Sequence, residues 1–130
     1  MPGMLLIDDD EDFKDMLAYY FKDTHGYQVE QAGNGREGLQ KAKVLKPDII
    51  ILDVMMPDMG GIEVLRALRE DSDTASIPVI VLTASFFDPN MSDLFKQESN
   101  CREFLGKDTA IAQVHKLVVQ AMDRPASGRP

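Results

Sequence analysis

The sequence predicts an α/β fold: one three-layered domain whose parallel β-sheet is covered by helices on both faces. Three observations predict it. Short, continuously apolar runs recur along the chain, as strands buried on both faces require. Between them the apolar period changes to that of amphipathic helices. Five such strand–helix units in series favour parallel pairing with right-handed crossovers. The length of 130 residues suits a single domain, and 44% hydrophobic with 28% charged residues is the balance of a chain that can bury a core. A domain of this size buries about two-thirds of its unfolded surface, so it needs no disulfide or structural metal to fold.

The elements follow in order. Met4–Leu5–Leu6–Ile7 is the first strand and leads into Asp8. Asp10 is the expected N-cap of the first helix, whose apolar face carries Phe13, Leu17, Tyr20 and Phe21. Glu11, Asp12 and Asp15 read as solvated charges near that helix's N-terminus. Tyr27 to Ala32 alternates apolar and polar, as a half-exposed edge strand does. Asn34 with Glu37 three residues on resembles a capping box opening a helix to about Lys46, before Pro47. A hairpin turn at Asn34–Gly35 is the alternative, and the helical spacing of Leu39 and Ala42 disfavours it. Ile49 to Leu52 is a buried strand leading into Asp53, followed by a helix on Ile62, Leu65 and Leu68. Val79 to Leu82 leads into Thr83. Asp88 to Glu98 reads as a poorly patterned helix with Pro89 in its first turn. A weaker fifth strand covers Arg102 to Leu105, and Ile111, Val114, Leu117, Val118 and Ala121 define the last helix. Residues 123–130, with two Pro, a Gly and a Ser, read as a frayed tail or the start of a linker.

Charge and cysteine content narrow the function. Fourteen Lys and Arg against 22 Asp and Glu give a net charge of −8, which disfavours direct binding of nucleic acid or an anionic membrane. Cys101 is the only cysteine, and no charged-then-apolar signal segment opens the chain, which points to a reducing cytoplasm. The longest apolar runs are far too short to span a bilayer.

In an open α/β sheet, ligands bind beyond the carboxyl ends of the strands. Asp8 and Asp9 follow the first strand, Asp53 the third, Thr83 the fourth and Lys107 the fifth, so parallel strands bring all five to one rim. Singly, Thr83 is an ordinary strand end and Lys107 an ordinary surface lysine; their convergence with three carboxylates is what singles them out. Three carboxylates on one rim repel unless a cation sits among them, and an all-oxygen set suits Mg²⁺. A divalent cation beside a Lys and a Thr makes a positive field suited to a phosphoryl group.

These residues carry a family resemblance over about residues 4 to 122. Leu5-Leu6-Ile7-Asp8-Asp9-Asp10-Glu11-Asp12 resembles the acidic-pair segment of receiver domains of two-component response regulators. Asp48-Ile-Ile-Ile-Leu-Asp53-Val-Met-Met-Pro57-Asp-Met-Gly-Gly61 resembles their phosphoacceptor segment. Val79-Ile-Val-Leu-Thr83-Ala84 and Phe104-Leu-Gly-Lys107 resemble the last two motifs. The intervals also agree, 44 positions from Asp9 to Asp53 and 30 from Asp53 to Thr83. The resemblance implies a flavodoxin-like sheet in the order 2-1-3-4-5. It implies that Asp53 accepts a phosphoryl group from the phosphohistidine of a sensor histidine kinase or a histidine phosphotransfer protein. Asp8, Asp9, Asp53 and the backbone carbonyl of Met55 would hold Mg²⁺. Thr83 and Lys107 would bind phosphoryl oxygens, and Phe104 would be the switch aromatic that turns inward as Thr83 moves to the phosphate. The downstream partner is a second protein or an effector domain outside this chain, and a phosphorylation-dependent dimer is a further expectation. Such a protein catalyses only its own phosphorylation and dephosphorylation.

Three features depart from the family pattern. Asp108 stands where proline usually follows the lysine, so the Lys107–Asp108 bond is expected to be trans. Asp108 then either caps the last helix, a role open to Thr109 as well, or sets a competing negative charge beside the Lys107 ammonium. The segment between Thr83 and Lys107 is about two residues longer than usual, and Ser99-Asn100-Cys101 replaces a turn of smaller residues. Two rival readings exist. Asp8-Asp9-Asp10 fits the Asp-x-Asp pattern of haloacid dehalogenase-type phosphatases, which would make Asp8 the nucleophile. Beyond Lys107, however, only Asp108 and Asp123 could supply the further acidic motif such enzymes need. The other rival is a constitutive binding module that is never phosphorylated, against which the intact acidic pair, acceptor, Thr and Lys all stand.

Overall fold

The computed structural model describes residues 1–84 and 89–123. In chain order these form β1 (Gly3–Ile7), α1 (Glu11–Tyr19), a π-helical turn (Tyr20–Thr24), β2 (Gln28–Ala32), α2 (Gly35–Leu45) and β3 (Ile49–Leu52). Then come α3 (Gly61–Glu70), β4 (Val79–Thr83), α4 (Pro89–Lys96), β5 (Cys101–Gly106) and α5 (Ile111–Asp123). The five strands make one parallel sheet in the order β2-β1-β3-β4-β5, the flavodoxin-like order that the resemblance implies. No helix of the described residues is long and apolar enough to cross a membrane.

The continuous apolar runs have a simple cause: each strand feeds two cores. Leu5, Ile7, Ile50, Leu52, Val79 and Val81 pack against Val64, Leu65 and Leu68 of α3 and Phe95 of α4. Their alternate neighbours Met4, Leu6, Ile49, Ile51, Ile80 and Leu82 face Leu17, Phe21, Val114 and Val118 on the other side. With both faces covered, no strand position in β1, β3 or β4 is free to be polar until the strand ends.

Helix ends obey local chemistry. Asp10 Oδ1 accepts from the Phe13 N–H at 3.1 Å and caps α1. Asn34 Oδ1 accepts from the Glu37 N–H at 2.9 Å, but the Glu37 carboxylate reaches back to the Gly33 N–H rather than to that of Asn34. Lys46, in the left-handed region at φ 47°, ends α2 ahead of Pro47.

Three expectations need correction. The first helix does not run on in α geometry: it widens at Tyr20 into the π turn. There Phe21 is fully buried and its ring meets Tyr27 at 5.2 Å. Periodicity over so short a stretch does not register a residue added within a turn. The last helix begins at Ile111, with the Ala110 carbonyl accepting from Val114, so neither Asp108 nor Thr109 is its N-cap. Thr109 instead closes a turn, its N–H and hydroxyl both donating to the Gly106 carbonyl at 3.0 and 2.7 Å. Asp123, read as the first tail residue, is the last of α5; residues 124–130 and Asp88 lie outside the described residues.

Candidate functional site

Strand register builds the site. Ile7 pairs with Leu52, so the next residue of each strand, Asp8 and Asp53, leaves the sheet side by side, and the Asp53 N–H donates to the Ile7 carbonyl at 3.0 Å. Thr83 pairs with Gly106, and the Lys107 N–H donates to the Thr83 carbonyl at 2.8 Å, which brings the lysine to the same rim. Carboxylate oxygens of Asp8, Asp9 and Asp53 lie within 4.8 Å of one another. Asp8 and Asp53 are buried and Asp9 is exposed, giving the cluster one face open to water. The Lys107 Nζ, on a side chain only 12% exposed, sits 2.8 Å from Asp8 Oδ2, 3.9 Å from Asp10 Oδ2 and 4.0 Å from Asp53 Oδ1. Thr83 is buried at its strand end.

Burial pushes the Asp53 carboxyl up to about 7, and the neighbouring Asp8 charge adds to the rise. The Lys107 ammonium and the Val54 N–H, which donates to Asp53 Oδ1 at 2.9 Å, oppose the shift without cancelling it. The cluster thus holds more carboxylates than cations in a poorly solvated place. An all-oxygen donor set with an unbalanced negative charge fits a hard divalent cation such as Mg²⁺, and the three aspartates are the residues that would hold it. Met55, two residues past Asp53, turns its side chain to solvent at 60% exposure. Phe104 is buried, with its ring 5.2 Å from that of Phe95.

Asp108 does not reach the ammonium: the carboxylates within 4 Å of Lys107 among the described residues are Asp8, Asp10 and Asp53. The Asp108 carboxylate folds back over Gly106 instead. The competing-charge reading therefore fails in this geometry. The bond between Lys107 and Asp108 is trans, as expected. Two side chains at the rim go beyond the sequence reading. Phe13, assigned only to a core face, has its ring centroid 4.5 Å from Lys107 Nζ. Lys14 is buried, with its ammonium 3.2 Å from Glu11. The cap at Asp10 was a usable signal for Phe13, because it places that residue in the first turn beside the β1 end; nothing local marks Lys14 as buried.

The raised Asp53 carboxyl has a measurable consequence. An acid whose pKa rises on folding resists ionising in the native state, so its contribution to stability falls as pH rises from the ordinary value of 3.8 towards 7. With a chelator present, Asp53→Asn should melt close to wild type near pH 4. It should melt higher by on the order of 5 °C above pH 7. A gap that does not change with pH would mean that Asp53 ionises normally.

A doubly wound parallel sheet with an acidic cluster, a threonine and a lysine at its carboxyl rim defines a class of α/β proteins in which strand ends form the site. The family model of the response regulator receiver domain matches residues 4–119, and the chain belongs to that family. It is 35% identical over 129 residues to the DNA-binding dual master transcriptional regulator RpaA of Synechocystis, covering 93% of this chain and 53% of that protein. It is 32% identical over 107 residues to protein PilH of Pseudomonas aeruginosa, covering 82% of this chain and 86% of that one. Among solved structures, chemotaxis protein CheY4 of Vibrio cholerae superposes with a TM-score of 0.84 at 31% identity, over 93% of this chain and 98% of that one. The chain spans about half the length of RpaA and of the Bacillus subtilis regulator PhoP, and most of PilH.

Proposed function

We propose that this receiver is a phosphoacceptor of a two-component phosphorelay. Asp53 takes the phosphoryl group of a phosphohistidine on a sensor histidine kinase or a histidine phosphotransfer protein. A carboxylate oxygen of Asp53 attacks phosphorus, the P–N bond breaks, and the imidazole leaves with the electron pair and is then protonated. The observation that carries this reading is the position of Asp53, a buried strand-end carboxylate flanked by Asp8, Asp9 and the Lys107 ammonium. Asp8, Asp9, Asp53 and the Met55 carbonyl would hold Mg²⁺, which when bound would supply neutralisation of phosphoryl charge. Lys107 and the Thr83 hydroxyl bind the phosphoryl oxygens. The group adds roughly −1.5 to −2 charges, enough to draw both side chains towards it. Because the Phe104 ring already packs inward on Phe95, the proposed Thr83–Phe104 switch favours an existing inward state rather than creating it.

The protein acts on itself alone, in the cytoplasm, with the receiver running from residue 4 to the end of α5 at Asp123 and a tail or linker after it. Its changed surface is read by a partner protein, by an effector domain beyond this chain or by a second copy in a phosphorylation-dependent dimer. Direct nucleic-acid or membrane binding by this domain does not suit a net charge of −8. The metal half of the reading is tested by thermal melting. Millimolar Mg²⁺ should raise the wild-type midpoint by a few degrees, since a ligand that binds only the native state stabilises it by mass action. Asp9→Asn should melt higher than wild type without metal, because one repelling carboxylate is gone, and should lose most of the response to Mg²⁺. An unchanged wild-type melt would refute the metal site.

A further inference from the structure

The ammonium that the proposed function directs at the phosphoryl group is held elsewhere in the structure. Lys107 Nζ is 2.8 Å from Asp8 Oδ2 and 4.0 Å from Asp53 Oδ1, so its tightest partner is a carboxylate that the same reading assigns to a cation. A contact of a different kind accompanies that pair, the Phe13 ring with its centroid 4.5 Å from Nζ. The ring is there for a local reason. Asp10 caps α1 by accepting from the Phe13 N–H, which fixes Phe13 in the first turn, three residues after the cap and next to the end of β1. The backbone of Lys107 is tied independently, through its N–H, to the Thr83 carbonyl. Ring and ammonium therefore meet across two separately anchored elements.

An aromatic face attracts a cation through its quadrupole and carries no net charge. It can hold the ammonium without neutralising it. A carboxylate partner behaves differently: Asp8 pulls the ammonium away from Asp53, and its charge repels an incoming phosphoryl group. The ring does neither, and it gives Lys107 a resting place at the rim that survives the loss of the Asp8 ion pair.

We propose that Phe13 is a positioning residue for Lys107, keeping the ammonium within reach of Asp53 while the phosphoryl group arrives. The proposal rests on the phosphoacceptor reading above. Its test compares Phe13→Leu, which keeps an apolar side chain and removes the π face, with Phe13→Tyr, which keeps the face. Two quantities are measured on the full chain: the rate of Asp53 phosphorylation by acetyl phosphate at saturating Mg²⁺, and the proton shifts of the Lys107 ε-methylene. In wild type and Phe13→Tyr those protons should be displaced upfield by the ring current. In Phe13→Leu the displacement should vanish and the rate fall about five- to tenfold, while Phe13→Tyr stays within about twofold of wild type. The ring-current readout needs no phosphorylation, so it separates the two readings. Undisplaced Lys107 protons in wild type would overturn the contact itself. Displaced protons with a wild-type rate in a folded Phe13→Leu, or an equal loss in Phe13→Tyr, would overturn the positioning role. If Phe13→Leu fails to fold, Phe13→Tyr decides: a slow Phe13→Tyr with the displacement intact overturns the role. Wild type that takes no phosphate on Asp53 would defeat the phosphoacceptor reading, and the positioning role with it, even with the contact present.

Discussion

Asp53→Asn is expected to abolish phosphate uptake. Wild-type protein incubated with a small phosphodonor and Mg²⁺ should gain the mass of one phosphate, and the variant should gain none. The amide has the shape of the acid but lacks the anionic oxygen that attacks phosphorus. Loss of folding would not explain the result. Asp53 is a buried acid pushed up to about 7 beside Asp8, so replacing it with a neutral group relieves repulsion and leaves the native state at least as stable at neutral pH. Asp8→Asn provides the contrast. Asp8 is one of the three carboxylates that would hold Mg²⁺ beside Asp53, so its loss should slow phosphorylation of Asp53 without moving it to another residue. Labelling that persists in Asp53→Asn and disappears in Asp8→Asn would assign the nucleophile to Asp8 and overturn the proposed chemistry.

Gly61→Ala should destabilise the fold by about 2–4 kcal/mol, lowering the melting midpoint by on the order of 10 °C. A Cβ at Gly61 would stand 2.5 Å from the Asp53 carbonyl oxygen and 2.9 Å from Val54 Cα. Both are backbone atoms. They cannot retreat, because the Asp53 N–H is bonded to Ile7 and the Gly61 N–H to the Val54 carbonyl at 2.9 Å. The start of α3 would have to move off the end of β3, carrying the acceptor loop with it, so phosphate uptake should slow as well. Gly60→Ala is the matched control. Its Cβ would find nothing nearer than 3.9 Å, and its φ of −75° suits any residue, so its melt should change little. Equal melts for the two variants would show that the approach of α3 to β3 is not rigid.

Much of this molecule is legible in local patterns. The runs at Met4–Ile7, Ile49–Leu52 and Val79–Leu82 had to be strands because a sheet covered on both faces leaves no polar position along them. The first polar residue after each run therefore marks the rim, which is why the sequence alone places Asp8, Asp53 and Thr83 together. Caps at Asp10 and Asn34 were equally readable, since a cap involves atoms only a few residues apart. The fifth strand was harder to place. It pairs with β4 through an irregularity near Val79 and Ile80, which sets Ile80 opposite Glu103 and breaks the alternation that would have marked it.

The sequence by itself determined the α/β class, the strand cores, the caps at Asp10 and Asn34 and the gathering of Asp8, Asp9, Asp53, Thr83 and Lys107 at the carboxyl rim. All of these follow from composition and short-range periodicity, which a chain carries before it folds. Only the tertiary structure decided that Lys107 rests on Asp8 beneath the Phe13 ring, that Asp108 turns away over Gly106, and that α1 ends in a π turn. It also decided that burial beside Asp8 raises the Asp53 carboxyl. Each of these depends on distances between groups far apart in the chain or on how tightly a turn must close against its neighbours. Such distances are set by register and packing, and electrostatic and aromatic contacts change steeply over the last ångström or two.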